Sequence, residues 1–348
     1  MARYIVEKIV QTPEEIISKL PLTSELKQQI KQDRESISDI IEGKDKRKLL
    51  IIGPCSAWPS EAVLEYARRL KPIMLKYSNT IKIILRVYTQ KPRTTLGWTG
   101  SANQPEPFKA PDLEAGIIYC RKLMLELVGM GFAVCDEAVF THNEGYFSDM
   151  LSYIAIGARS TQDQEHRVYA SMIEHPVGLK NPTSGDILTG IQSVLAAQNP
   201  HVFLLSGRQI KTKGNPHAHL VLRGGNSESN ATLECLNLCS KLLIEKKVLF
   251  PSLIIDVSHD NSIDPVTGKK DPLMQPKVVE HVLRLLTEQP HLKMLVKGFM
   301  VESFLKTGNQ NLEKAKSVSE LDLHGLSITD SCIGFDETIK LIEIVGKN

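Results

Sequence analysis

The sequence predicts a (β/α)8 TIM barrel with an N-terminal helical arm and an inserted extra strand and loop before the sixth barrel strand. Three observations lead there. Short β-rich runs alternate with amphipathic stretches along the chain, eight times over. Several of the runs are almost continuously apolar, the pattern of parallel strands covered on both faces. The first run ends in Gly53-Pro54-Cys55-Ser56, which is not the glycine-rich turn that announces an open doubly wound sheet, the competing architecture.

The arm comes first, residues 1–47, with helical patterns at 13–19 and 24–42; the barrel is expected over 48–348. Such an arm covers a barrel end or reaches a neighbouring subunit. The strand-like runs are 48–52, 81–88, 132–135, 154–158, 176–180, 219–222, 253–257 and 294–299. Helical stretches include 60–76, 112–128, 187–197, 231–246, 276–288 and 337–345. The run 201–205 and the segment after it form the insertion.

Composition narrows the function classes. The formal net charge of +2 and the lack of a basic run argue against a nucleic-acid partner. The N-terminus lacks the apolar core of a signal peptide, and no stretch approaches the roughly 18 apolar residues of a membrane span. Six scattered cysteines without paired spacing suit reduced thiols in a cytoplasmic protein.

In this architecture catalytic groups sit at the C-terminal ends of the strands. Six cations fall there: Arg86, Lys91, Arg93, Arg159, Lys180 and Arg223. Gathered at one mouth without counter-charges they would be costly, and a polyanionic ligand is the simplest relief. Arginine suits bidentate phosphate or carboxylate binding, and lysine supplies a point charge. Pairing with acids across the barrel explains one or two of the six more readily than all of them. Cys55, His259, Glu302 and Asp330 come from strands one, seven and eight and the closing loop. One thiolate, one imidazole and two carboxylates suit one divalent metal ion such as Mn2+, Fe2+, Co2+ or Zn2+.

The segments Gly53-Pro-Cys-Ser, Lys91-Pro-Arg-Thr-Thr, Gly157-Ala-Arg, Arg223-Gly-Gly, Asp256-Val-Ser-His, Met300-Val-Glu-Ser and Ser327-Ile-Thr-Asp-Ser-Cys-Ile-Gly occur in that order. With them the chain closely resembles the phenylalanine/tyrosine/tryptophan-sensitive type of 3-deoxy-D-arabino-heptulosonate 7-phosphate (DAHP) synthase, over essentially its whole length. The resemblance implies a transferase that condenses phosphoenolpyruvate with D-erythrose 4-phosphate and releases phosphate, in the first step of the shikimate pathway. It implies a phosphoenolpyruvate clamp of Arg159, Lys180 and Arg223, with Ala158 and Arg86 alongside. It implies an erythrose 4-phosphate site at Lys91, Arg93 and Thr94, and metal ligands Cys55, His259, Glu302 and Asp330. Lys91, Glu137, Cys55 and His259 would carry the catalysis, Glu137 being favoured over Asp136 by its spacing to Gly157-Ala-Arg. The retained arm implies a homodimer or homotetramer.

The departures from that family cluster on its effector segments. Met1-Ala-Arg-Tyr lacks an acidic pair, Ala138-Val139-Phe140 replaces Phe-Leu-Asp, and the segment after residue 205 is shorter. Weak or altered inhibition by aromatic amino acids is therefore expected.

Overall fold

The computed structural model describes residues 3–347 apart from 95, 144 and 206. Two helices lead the chain, α1 (Pro13–Lys19) and α2 (Ser24–Glu42). The Thr12 and Thr23 hydroxyls accept from backbone N–H groups that have no partner within the first helical turn. α2 ends at Gly43, whose φ of 83° is the left-handed C-cap that glycine adopts without strain. The barrel units follow: β1 (Lys48–Gly53), α3 (Ser60–Lys76), β2 (Ile81–Arg86), α4 (Leu113–Gly129), β3 (Ala133–Glu137), β4 (Tyr153–Ile156), α5 (Gln164–Met172), β5 (Val177–Lys180) and α6 (Ile187–Gln198). A hairpin of β6 (Val202–Leu205) and β7 (Arg208–Lys211) interrupts them. Then come β8 (Ala218–Leu222), α7 (Leu233–Glu245), β9 (Leu253–Asp256), α8 (Met274–Glu288), α9 (Pro290–Lys293), β10 (Val296–Glu302) and α10 (Phe335–Gly346).

Eight strands close in the order β1-β10-β9-β8-β5-β4-β3-β2, and every pair is parallel. The period-two alternation of a strand splits its apolar residues between two cores. Leu50 and Ile52 of β1 pack outward among the helices. Leu49 and Ile51 pack inward with Ile84, Ile254 and Met300. Three residues of α2, Ile37, Ile40 and Ile41, belong to this inner cluster. Their spacing of three and one puts them on one helical face. The arm thus closes the N-terminal end of the barrel, and the opposite end remains the open mouth.

The structure corrects four details. The insertion is a two-stranded antiparallel hairpin rather than a strand and loop, because the Arg-Gln-Ile-Lys of β7 carries no apolar run. α5 was not foreseen, since it begins with the polar Gln164-Glu165-His166-Arg167. β2 stops at Arg86, although Val87 and Tyr88 remain buried. β10 runs to Glu302, so Met300-Val-Glu is strand. Its register against β9 skips at Lys297, which the apolar pattern could not reveal.

Candidate active site

The strand order divides the mouth into arcs. Neighbouring β9, β10 and β1 deliver His259, Glu302 and Cys55. Neighbouring β8, β5 and β4 deliver Arg223, Lys180 and Arg159. β2 and β3 complete the ring with Arg86, Lys91 and Glu137.

In the first arc, Cys55 Sγ and carboxylate oxygens of Glu302 and Asp330 all lie within 4.8 Å of one another. Three anionic donors this close repel one another unless a cation or protons join them, so by its chemistry the group fits a divalent ion. His259 stands just outside the tight group, with Nε2 4.0 Å from Glu302 Oε1. Its Nδ1 lies 3.0 Å from Asp256 Oδ2 and 2.7 Å from Ser258 Oγ. A carboxylate behind an imidazole fixes the ring and leaves the other nitrogen free to face a ligand. His259 holds a φ of 55°, a left-handed conformation of the kind retained where surroundings over-determine it. Glu302 is fixed by Gln275, which accepts from its N–H (2.9 Å) and donates to its carbonyl (3.0 Å). Asp330 sits between the buried Ile328 and Cys332, on a loop anchored where Thr329 meets Ser56 (2.9 Å) and Asn309 (2.7 Å).

Burial, aided by Glu302 and Asp330, pushes the Cys55 thiol up to about 12 against the pull of Lys91 and Arg86. Lys91 Nζ donates to Cys55 O (2.6 Å) and lies 3.2 Å from its Sγ. Burial disfavours the Lys91 charge, but Cys55, Glu137, Glu302 and Asp330 outweigh it and hold its pKa above the ordinary value. Burial likewise raises Asp330, yet His259, Lys91 and Lys270 prevail and keep it below the usual carboxylate value.

The expectation of largely unpaired cations needs correction. Arg86 pairs with Glu302 (3.0 Å), Lys180 with Asp256 (2.9 Å) and Arg223 with Asp260 (3.2 Å). Strand-end acids neutralise half of the set: Asp260 follows the strand next to that of Arg223, and Glu302 and Asp256 reach their partners from two strands away in the closed barrel. What remains is directional. The buried Arg86 Nε and Nη1 and Arg223 Nε have no hydrogen-bond partner among the described residues. Orphaned guanidinium donors in a cleft are costly and mark where an acceptor belongs. Arg93 and Arg159 are exposed at the rim, where Arg93 donates to Trp98 O (2.7 Å) and Arg159 to Thr94 Oγ1 (3.2 Å). Thr95, in the same motif, lies outside the described residues, as do Met1 and Ala2 of the arm.

Glu137 and Asp136 part company. Asp136 accepts from the Thr89 N–H (3.0 Å), the Thr89 hydroxyl (2.5 Å) and the Glu137 N–H (2.7 Å). Burial nevertheless pushes it up to about 7. It braces the β2–β3 junction. Glu137 lies across Gly157, where a Cβ would come within 2.0 Å of its Oε1. The glycine before Ala158 and Arg159 therefore makes room for this carboxylate. Sequence reasoning gave no role to Asp256, which joins Lys180 to His259, or to Gln275. Asp256 could have been found from its place in the Asp-Val-Ser-His segment; Gln275, inside a helix, carries no such signal.

Away from the mouth, Thr141, Tyr169, Met172, Phe203 and Leu205 line a cavity of about 520 Å3 between α5 and the hairpin. It adjoins the Ala138-Val139-Phe140 segment.

The model of the DAHP synthetase I family matches residues 23–343. The Tyr-sensitive phospho-2-dehydro-3-deoxyheptonate aldolase of Escherichia coli K12 is 39% identical over 347 residues, 98% of this chain and 94% of that protein. A phospho-2-dehydro-3-deoxyheptonate aldolase of Corynebacterium glutamicum is 36% identical over 339 residues, 95% of this chain and 89% of its own length. The solved structure of the Francisella tularensis SCHU S4 aldolase superposes with a TM-score of 0.90 at 33% identity, covering 98% of this chain and 97% of that one. On this likeness in sequence and fold, the chain belongs to the DAHP synthetase I family.

Proposed function

We propose that the chain is a 3-deoxy-7-phosphoheptulonate synthase, condensing phosphoenolpyruvate, D-erythrose 4-phosphate and water to 3-deoxy-D-arabino-heptulosonate 7-phosphate and phosphate, the first step of aromatic amino acid biosynthesis. The observation that carries the reading is the pairing of arcs. A thiol–carboxylate cluster stands beside buried guanidinium nitrogens that lack acceptors.

Arg159, Lys180 and Arg223 would clamp the carboxylate and phosphate of phosphoenolpyruvate, with the Arg86 orphan donors and the Ala158 backbone alongside. Arg93 and Thr94 would grip the phosphate of erythrose 4-phosphate, and Arg159 Nε already meets the Thr94 hydroxyl. Cys55, His259, Glu302 and Asp330 would hold one divalent ion, whose Lewis acidity polarises the aldehyde. As the enol carbon attacks the aldehyde carbon, negative charge develops on the aldehyde oxygen, and Lys91 Nζ supplies a proton there. Glu137 would orient the water that adds at the phosphate-bearing carbon and hold its proton. Phosphate then leaves, still paired with the clamp. Fixing both substrates in line supplies much of the rate.

Phosphate release should be supported by erythrose 4-phosphate and not by arabinose 5-phosphate. Equal rates with the five-carbon sugar would reassign the enzyme to octulosonate 8-phosphate synthesis. The exposed apolar residues of the arm (Tyr4, Ile5, Ile9) and of the hairpin (Val202, Leu204) favour a homodimer or homotetramer. Among the described residues no helix is long and apolar enough to cross a membrane. Six free cysteines suit a cytoplasmic protein. Inhibition by aromatic amino acids is proposed to be weak or altered, and submillimolar inhibition by any one of the three at an ordinary level would refute insensitivity.

A further inference from the structure

The closed end of the barrel, opposite the mouth, holds a cavity of about 570 Å3. It lies between the α2–β1 turn, the start of β2, α9 and the end of α10. Lys46, Lys48, Lys293 and Lys297 line it, together with Asp45 and Arg47. Asp45 and Arg47 neutralise each other at 2.6 Å. No carboxylate among the described residues forms an ion pair with any of the four lysines.

The two inner lysines are the informative ones. Among the described residues Lys48 Nζ donates only to carbonyls, those of Val296 (2.7 Å) and Lys293 (3.4 Å). Lys297 is 8% exposed, and its ammonium has no hydrogen-bond or ion-pair partner among the described residues. It sits at the register shift of β10 against β9, the kind of irregularity by which a strand re-aims a side chain. The ammonium ends up beside the α2 C-cap, 3.4 Å from where a Cβ on Gly43 would lie. Burial and then the charges of Lys297 and Lys293 lower the Lys48 amine to about 8. Burial lowers Lys297 as well. Like charges held together, half out of water, are relieved by a bound anion. Ammonium groups act on phosphate as point charges without demanding a planar partner. Met294 and Val345 add apolar wall for an organic body.

We propose that this basal cavity binds a small phosphate monoester, at a site distinct from the mouth. The six residues of β1 separate the two by roughly 17 Å.

Competitive acetylation of the full-length, metal-loaded protein tests it, with glycerol 2-phosphate as the probe and acetylation of Lys180 reporting any binding at the mouth. Mass spectrometry reads each lysine separately. The ester should slow acetylation of Lys48 and Lys293 by at least about fivefold at saturation. Potassium chloride of equal ionic strength should not. Lys297→Gln should abolish the protection while turnover stays at the wild-type rate, and the exposed Lys293→Gln should weaken Lys48 protection if the first variant folds poorly. Three results would overturn the proposal: no protection, equal protection by chloride, or protection of Lys48 undiminished in both variants. So would constitutive protection of Lys48 that disappears when residues 346–348 are deleted, since the cavity would then be filled by the chain's own C-terminus.

Discussion

The two ends of the barrel both gather cations, and they treat them in opposite ways. At the mouth, Arg86, Lys180 and Arg223 each meet a carboxylate delivered by another strand. At the floor, Lys48 and Lys297 meet carbonyls or no partner among the described residues. The mouth is a nearly balanced lattice in which particular atoms, Arg86 Nε and Nη1 and Arg223 Nε, are left without acceptors among the described residues. The floor is an excess of charge without direction. Balanced charge with orphaned donors favours one geometry of ligand, as a reaction requires. Unbalanced ammonium groups favour anions of several shapes. Charge alone would have ranked the ends alike; the pairing pattern separates them.

The sharpest break of this contrast is at Cys55. Cys55→Ala should lower kcat roughly 10^3-fold, since Lewis-acid stabilisation is worth several kcal/mol. Calorimetric titration with Mn2+ should show matching loss of affinity. Unchanged turnover and affinity would remove the first arc from the chemistry. The floor should respond in stability instead. Ile37→Ala deletes a fully buried side chain of the α2 plug and should cost about 2–4 kcal/mol in urea unfolding, with KM values unchanged.

Next come the clamp residues. Arg223→Ala should reduce kcat/KM for phosphoenolpyruvate about 30-fold, as expected for a buried charge-assisted contact. Arg159→Ala, at the exposed rim, should cost about tenfold or less. Reversal of that order would mean that the orphaned donors do not mark the anion.

The smallest effect on turnover belongs to Asp136, whose role is in stability. Its folded pKa of about 7 lies above the ordinary aspartate value of 3.8. Between those values the fold holds a proton that the unfolded chain has released. Its contribution is therefore most favourable below the lower value and is lost as pH rises through the upper one. Asp136→Asn, which keeps the acceptor for Thr89 and Glu137, should gain on wild type by about 1 kcal/mol per pH unit between pH 4 and pH 7. A parallel pair of stability curves would show that Asp136 is ionised throughout.

Much of this molecule is legible in its sequence. α1, α2 and α3 begin and end where periodicity places them, and the first two start at the local Thr12 and Thr23 caps. The barrel strands are announced by apolar runs, since burial on both faces leaves little choice of residue. The limits are equally physical. α5 and β7 were hidden by polar residues whose partners are distant in sequence. The register shift at Lys297 depends on how β10 meets β9, which no single strand encodes. Within the site, residue types point to Cys55, Glu302 and Asp330, yet the pairing of the clamp with Asp256 and Asp260 is not legible. Asp256 and Asp260 acquire meaning only when β9 is set beside β8 and, beyond it, β5.

The most direct test of the two-arc mouth is diffraction from crystals grown with Mn2+ and phosphoenolpyruvate. The anomalous manganese peak should fall at bonding distance from Cys55, Glu302 and Asp330, with His259 turned toward it, and the phosphate should rest on Arg159, Lys180 and Arg223. A manganese peak away from those side chains, or a phosphate bound elsewhere on the barrel, would contradict the account.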